Sequence, residues 1–91
     1  AVFGMTRAMA KELGVDGIRV NAIAPGSTMS ENVKARTDWR DGGPAAKLAG
    51  RSLKRLQEPA DLVGACLYFA SAESDFTTGQ TLVIDGGGAM W

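Results

Sequence analysis

The sequence predicts an α/β protein in which two short strands lie parallel in one sheet. Three observations support this fold class. The predicted elements follow in the order helix, strand, long connection, helix, strand; both strands, 18–24 and 81–85, are short and mostly apolar; and each runs into a glycine turn. Strands joined through a helix are normally parallel, and parallel sheets are covered on both faces. Open parallel sheets bind ligands beyond the carboxyl ends of their strands, so the Pro25-Gly26 turn is a candidate ligand position.

The first predicted helix covers residues 1–13. Its apolar residues recur at helical spacing and form one stripe: Val2, Met5, Met9 and Leu13. Such a stripe predicts that one face of the helix packs against the rest of the protein. Gly14 is the predicted C-cap, and Asp16-Gly17 forms the turn into the first strand.

The second predicted helix begins at Pro59, because proline suits the first helical position and Asp61 then lies in the first turn. Its apolar positions also follow helical spacing: Leu62, Ala65, Cys66 and Phe69. This pattern predicts a buried face, with Cys66 as a small core residue. The same helix carries Tyr68, for which a partly buried aromatic is the simplest interpretation.

The connection 27–57 is too long for an ordinary loop, and such segments are usually functional lids or disordered. Apolar residues that we expect to be buried favour a lid: Met29, Val33, Trp39, Leu48, Leu53 and Leu56. The connection also holds seven of the ten basic residues. They indicate either a solvated helical surface or a lid that attracts an anionic substrate or carrier.

Composition excludes several classes of function. Ten basic and ten acidic residues cancel, so nothing global indicates nucleic acid or an anionic membrane as a partner. No apolar segment approaches the ~20 residues of a membrane helix. The chain has one cysteine and no histidine, which predicts no metal site and suits a reducing, cytoplasmic location.

The chain begins with a helix already in progress, and two strands with two helices do not close a core. We therefore expect these 91 residues to be part of a longer domain.

Several segments resemble, in order and spacing, the C-terminal part of the short-chain dehydrogenases/reductases: residues 1–14, GIRVNAIAPG at 17–26, RLQEPADLVGA at 55–65, FAS at 69–71 and FTTGQTLVIDGG at 76–87. The resemblance covers nearly the whole chain except the lid. It implies a Rossmann-type, doubly wound parallel sheet, with residues 1–91 as the C-terminal portion of a single domain that binds NAD or NADP. It also implies hydride transfer between the nicotinamide and a secondary alcohol or ketone, with a 3-oxoacyl thioester as one candidate.

The resemblance further implies which residues form the site. Pro25 and Gly26 bring backbone close to the nicotinamide, and glycine fits because a side chain would collide with the ring or strain the backbone. Thr28 would bond the carboxamide through its backbone, and Ser30 would keep a hydroxyl for the carboxamide or a phosphate. Helix or turn capping is the alternative for Thr28 and Ser30. The substrate lid includes Met29, Val33 and Trp39.

The family's catalytic tyrosine and lysine would precede Ala1, so no catalytic residue is expected in this chain. The alternatives to an enzyme are a non-catalytic NAD(P)-binding or scaffold protein of the same fold, or an inactive fragment. The family also implies a homotetramer. Its contacts would involve the helix between Leu62 and Ser71 and the strand between Thr81 and Asp85.

Two polar residues receive structural interpretations. Asn21 lies within a strand, and its side chain is expected to bond neighbouring backbone rather than to act in catalysis. Asp85 begins an Asp-Gly-Gly sequence that resembles a phosphate or metal loop, but a single carboxylate favours a simple turn after the last strand.

Overall fold

The computed structural model describes residues 1–26 and 48–88. Its elements are helix α1 (Val2–Leu13), strand β1 (Ala22–Pro25), helix α2 (Ala60–Ala70) and strand β2 (Thr81–Ile84), with short 3-10 turns at Gly14–Asp16 and Ala72–Ser74. The predicted order of elements and the α/β class are confirmed. The chain divides into a first unit, residues 1–24 and 63–82, and a second unit, residues 25–62 and 83–91.

The two strands are neighbours and run parallel. Ala22 donates its N–H to the carbonyl of Gln80, and Gly26 donates to that of Ile84, both at 2.9 Å. The bonded residues stay the same number of positions apart along both strands, which is the register of a parallel pair. This parallel arrangement confirms the prediction.

Strand β1 is shorter than the predicted 18–24, because side chains make several of the bonds that precede it. Val20 donates its N–H to the hydroxyl of Thr78 at 3.0 Å. Asn21 donates its Nδ2 to the carbonyl of Thr77 and accepts the N–H of Gln80 at its Oδ1, both at 3.0 Å. The amide of Asn21 is used on both sides, which confirms its structural interpretation.

Gly14 is the C-cap of α1, as predicted. Gly14 has a right-handed φ of −59°, and the chain continues into a 3-10 turn. The left-handed residue is Gly17, with φ 75° and its N–H bonded to the carbonyl of Gly14. The 3-10 turn includes Val15 and Asp16, so the left-handed conformation that favours glycine occurs at Gly17, three residues after Gly14.

The apolar stripe of α1 is open to solvent. Val2 and Met5 are 59% and 57% exposed, whereas Thr6 and Ala10, on an adjacent face, are buried. The hydroxyl of Thr6 donates to the carbonyl of Val2 at 2.7 Å, so its burial leaves no unpaired hydroxyl. The predicted packing face of α1 is therefore not the face that this chain covers.

Helix α2 shows a similar departure, since none of its residues is buried. Cys66 is exposed, and the prediction that it is a core residue is wrong for this chain. Tyr68 is 43% exposed, as expected for a partly buried aromatic. At the start of α2, the N–H of Glu58 donates to Asp61 at 2.8 Å, which satisfies one donor at the helix N-terminus.

Burial in the described residues is mostly polar. Ala10 is their only buried apolar residue, whereas Thr6, Arg51, Gln57 and Ser74 are also buried. Burial of apolar area is the main stabilising contribution in folding, so these segments do not form an apolar core of their own. No helix among the described residues is long and apolar enough to cross a membrane.

Candidate functional site

The Pro25-Gly26 turn follows the last ladder bond of β1. Pro25 closes the strand, where its missing N–H costs least, and it is exposed. Gly26 donates its N–H to the carbonyl of Ile84, the last residue of β2. The turn therefore lies at the carboxyl end of two parallel strands, the edge at which open parallel sheets hold ligands.

Gly26 is closely packed against Asp85. A Cβ at Gly26 would come within 2.8 Å of the Asp85 Cβ, 3.1 Å of its Cα and 3.1 Å of the Gln57 Oε1. Gly26 is not among the glycines with positive φ, so the expected backbone strain is wrong as a reason for glycine. Collision with Asp85 already excludes a side chain there, whether or not a ligand is bound.

Gln57 also bonds the carbonyl of Ile84 to which Gly26 donates. Its Nε2 donates to the carbonyl of Ile84 at 2.8 Å, so that carbonyl accepts two hydrogen bonds, from Gln57 and from Gly26. Gln57 is 95% buried, being 5% exposed. Its Oε1 is also buried and has no hydrogen-bond partner.

The sequence does not reveal Gln57, because a glutamine before a proline-capped helix is typical of an exposed loop. Its position two residues before Pro59 is the only signal in the sequence.

The Asp-Gly-Gly sequence after β2 forms a turn that is held by hydrogen bonds between its own residues. The Oδ1 of Asp85 accepts the N–H groups of Gly87 at 3.0 Å and Gly88 at 3.2 Å. Gly86 and Gly87 have φ values of 67° and 83°, which glycine adopts at no steric cost. The carboxylate is occupied by its own backbone, as the interpretation as a turn predicts.

The segment 51–57 packs beside this turn. Leu53 donates its N–H to the carbonyl of Gly86 at 2.8 Å. Arg51 is buried, and its Nη1 donates to the carbonyl of Arg55 at 3.1 Å. A cavity of about 140 Å³ lies here, lined in part by Arg51, Leu53, Gln57 and Ile84. Leu53 itself is 62% exposed, so the prediction that it is buried is wrong.

An ion pair closes the start of α2. The guanidinium of Arg55 donates twice to the carboxylate of Asp61, each bond 2.7 Å long. These bonds, with the N–H of Glu58, lower the pKa of Asp61 from 3.8 to about 2. The hydrogen bond to Asp61 likewise raises the pKa of Arg55. The pair is exposed, so salt weakens it.

The remaining predicted site residues are outside the described part of the chain. They are Thr28 and Ser30 for the cofactor and Met29, Val33 and Trp39 for the lid. Of the lid 27–57, the structure describes residues 48–57. Within residues 1–26 and 48–88, no group of three side chains could hold a metal ion.

The two helices and the two paired parallel strands define an α/β protein. The family model described as enoyl-(acyl carrier protein) reductase matches residues 1–89. A Mycobacterium marinum short-chain type dehydrogenase/reductase of known structure is 40% identical, with a TM-score of 0.85, over 100% of this chain and 34% of that one. The chain belongs to the short-chain dehydrogenase/reductase family.

Two further relatives show the range of the family. The A-factor type gamma-butyrolactone 1'-reductase (1S-forming) of Streptomyces virginiae is 46% identical over 96% of this chain and 34% of the relative. A structure of 4-hydroxyisoleucine dehydrogenase complexed with NADH and succinate is 34% identical, with a TM-score of 0.84, over 98% of this chain and 35% of that one. The chain spans about a third of the length of these relatives.

Proposed function

We propose that residues 1–91 are the C-terminal third of a single Rossmann-type domain in an NAD(P)-dependent oxidoreductase. The enzyme moves hydride between the cofactor and a secondary alcohol or ketone. One observation carries this proposal: the Pro25-Gly26 turn is fixed at the carboxyl ends of two parallel strands, where dinucleotides bind in such sheets. The family membership supports the reaction class, and the share of about a third supports a longer domain.

The cofactor is NAD or NADP, and its nicotinamide supplies the site of hydride transfer. The described residues fit such a group in two ways. The turn at Gly26 lies at the carboxyl edge of the two parallel strands, the edge at which such sheets hold dinucleotides. The orphaned Oε1 of Gln57 lies beside that turn and can accept a hydrogen bond. These residues hold and orient a ring, and positioning of this kind is worth roughly 7–11 kcal/mol at most.

In this proposal Thr28 and Ser30 continue the cofactor contacts beyond Gly26. Residues 27–57 form the substrate lid, with Met29, Val33 and Trp39 against the substrate. The apolar residues suit a substrate other than a sugar, and the basic excess of the lid suits an acyl carrier. The family description, which names an acyl carrier protein, supports a 3-oxoacyl thioester as one candidate substrate.

The catalytic tyrosine and lysine of the proposed enzyme belong to the part of the domain before this chain. We therefore expect the isolated 91 residues to be inactive. The intact enzyme is proposed to be a cytoplasmic homotetramer, with contacts through the helix from Leu62 to Ser71 and the strand from Thr81 to Asp85. Scattering that shows only monomer would contradict the tetramer.

The experiment uses the intact protein that carries these residues. Titration with NADH and NADPH, followed by nicotinamide fluorescence, should show binding of at least one of them. Gly26→Ala should weaken that binding about tenfold, because a Cβ pushes the turn away from Asp85. Gly50→Ala is the matched control, since a Cβ at Gly50 meets nothing within 4 Å.

Two results would contradict the proposal. Failure of both dinucleotides to bind would exclude the cofactor assignment. Binding without oxidation or reduction of any alcohol or ketone in a broad panel would favour the non-catalytic alternative.

A further inference from the structure

The buried Oε1 of Gln57 is the one side-chain polar atom of the described residues that is buried without a hydrogen-bond partner. Its orientation follows from chemistry. The carbonyl of Ile84 only accepts, so the amide nitrogen of Gln57 must face it, as the 2.8 Å bond shows. The amide oxygen Oε1 of Gln57 therefore points away from the Ile84 carbonyl. It lies 3.1 Å from the position that a Cβ of Gly26 would occupy.

A buried acceptor such as the Oε1 of Gln57 is expected to accept a hydrogen bond from a donor. Buried polar groups are paired in the great majority of cases, and an unpaired acceptor is costly. Asp85 meets its needs within its own turn, and the N–H of Gly26 is committed to Ile84. The cavity of about 140 Å³ lined in part by Gln57 leaves room for a small donor group. A ligand bound beside Gln57 can supply the missing donor.

We propose that Gln57 is a cofactor-binding residue whose Oε1 accepts a hydrogen bond from the carboxamide N–H of the bound nicotinamide at the Gly26 turn. This inference rests on the proposed function, which brings the nicotinamide to that turn. A primary amide supplies the N–H donor that the oxygen lacks. Gln57 then recognises the carboxamide and holds the end of β2, through two different atoms of one amide.

The experiment compares two cofactors on the intact protein. One is NADH or NADPH, whichever binds. The other is the matching dinucleotide with 3-acetylpyridine in place of nicotinamide, which keeps the carbonyl and lacks the N–H. The wild type should bind the carboxamide cofactor about tenfold more tightly, since the analogue leaves the buried oxygen unpaired.

A variant of Gln57 tests whether this residue causes the preference for the carboxamide cofactor over its analogue. Gln57→Met keeps the length of the side chain and removes both polar atoms, so the two cofactors should bind with nearly equal affinity. The matched control is Gln80→Met, because Gln80 is an exposed glutamine that bonds the carbonyl of Thr78. That control should keep the full preference.

The outcomes separate the two proposals. If neither dinucleotide binds the wild type, the proposed function and this inference both fail. If both bind equally well, the carboxamide is not the donor and only the inference is overturned. If Gln57→Met weakens both cofactors by the same factor, the residue is purely structural, which also overturns it. The wild-type comparison needs no variant, so equal binding overturns the inference even where Gln57→Met fails to fold.

Discussion

Among the described residues, most of the exposed large apolar side chains lie in the first unit of the chain. In the first unit, apolar side chains such as Val2, Met5 and Phe76 are exposed, and Phe76 is fully so. In the second unit, buried Arg51 and Gln57 lie in a polar network around the end of β2. The second unit is organised locally by hydrogen bonds, whereas the first leaves apolar side chains exposed.

Polar bonds also organise parts of the first unit. Arg19 donates its Nη1 to the carbonyl of Ser74 at 2.8 Å and to its hydroxyl at 2.6 Å. Ser74 is 1% exposed, so these are well shielded bonds. They hold the approach to β1 against the turn that follows α2. They leave the apolar side of α1 without cover.

The largest effect is expected where the first unit is most open. If the intact domain covers the apolar face of α1, Met5→Lys should lower its free energy of unfolding by about 3–4 kcal/mol, because a cation becomes buried. Chemical denaturation of the intact protein measures this loss. Ala8→Lys, which adds the same charge at another exposed position of α1, is the control. Equal effects of the two variants would show that the face stays open and would break the contrast.

The second unit is tested at its tightest contact. Gly26→Val should lower the free energy of unfolding by about 2–3 kcal/mol, since its Cβ alone would come within 2.8 Å of the Asp85 Cβ. Thermal unfolding followed by circular dichroism measures the loss. Gly50→Val offers a comparison at a glycine with open space around it. An unchanged unfolding midpoint for Gly26→Val would mean that the backbone around Gly26 rearranges at little energetic cost.

A third prediction asks whether polar bonds matter as much in the first unit as in the second. Arg19→Met should cost about 2 kcal/mol, because it removes two bonds to a buried serine. Arg7→Met, at an exposed position of α1, should change stability little. Denaturant midpoints compare the two variants. A loss no larger than that of Arg7→Met would restrict polar organisation to the second unit.

The smallest effect concerns the exposed ion pair. Asp61 has a folded pKa of about 2 against 3.8 for the free group, so its contribution is present above pH 4 and is lost as pH falls through about 2. The melting temperature of the wild type should therefore exceed that of Asp61→Asn at pH 7, and the difference should shrink toward pH 2. High salt at pH 7 should also reduce it. A difference that grows on acidification would contradict the assignment.

The sequence was informative where residue type alone determines backbone geometry. Pro25-Gly26, Pro59 and the Asp85 turn could be predicted because proline, glycine and a carboxylate each impose a local conformation. The α/β class followed from the order of apolar segments between them. The family followed from several such segments in register, which no single turn could establish.

Features that depend on distant neighbours could not be predicted. The apolar stripe of α1 is real, but periodicity does not say whether this chain covers it. The burial of Arg51 and Gln57 arises from packing against the end of β2, some 30 residues away in sequence. The reason for glycine at 26 is the backbone of Asp85, which becomes a neighbour only after the strands pair.

The carbonyl of Ile84 belongs to the main chain, so no substitution at position 84 removes it. A change of side chain there alters volume and hydrophobicity but leaves the acceptor for Gly26 and Gln57 in place. Packing alone therefore decides which side chain suits position 84. The Gly26 donor is also main chain, so Gln57 is the partner in this junction whose bond depends on its side chain.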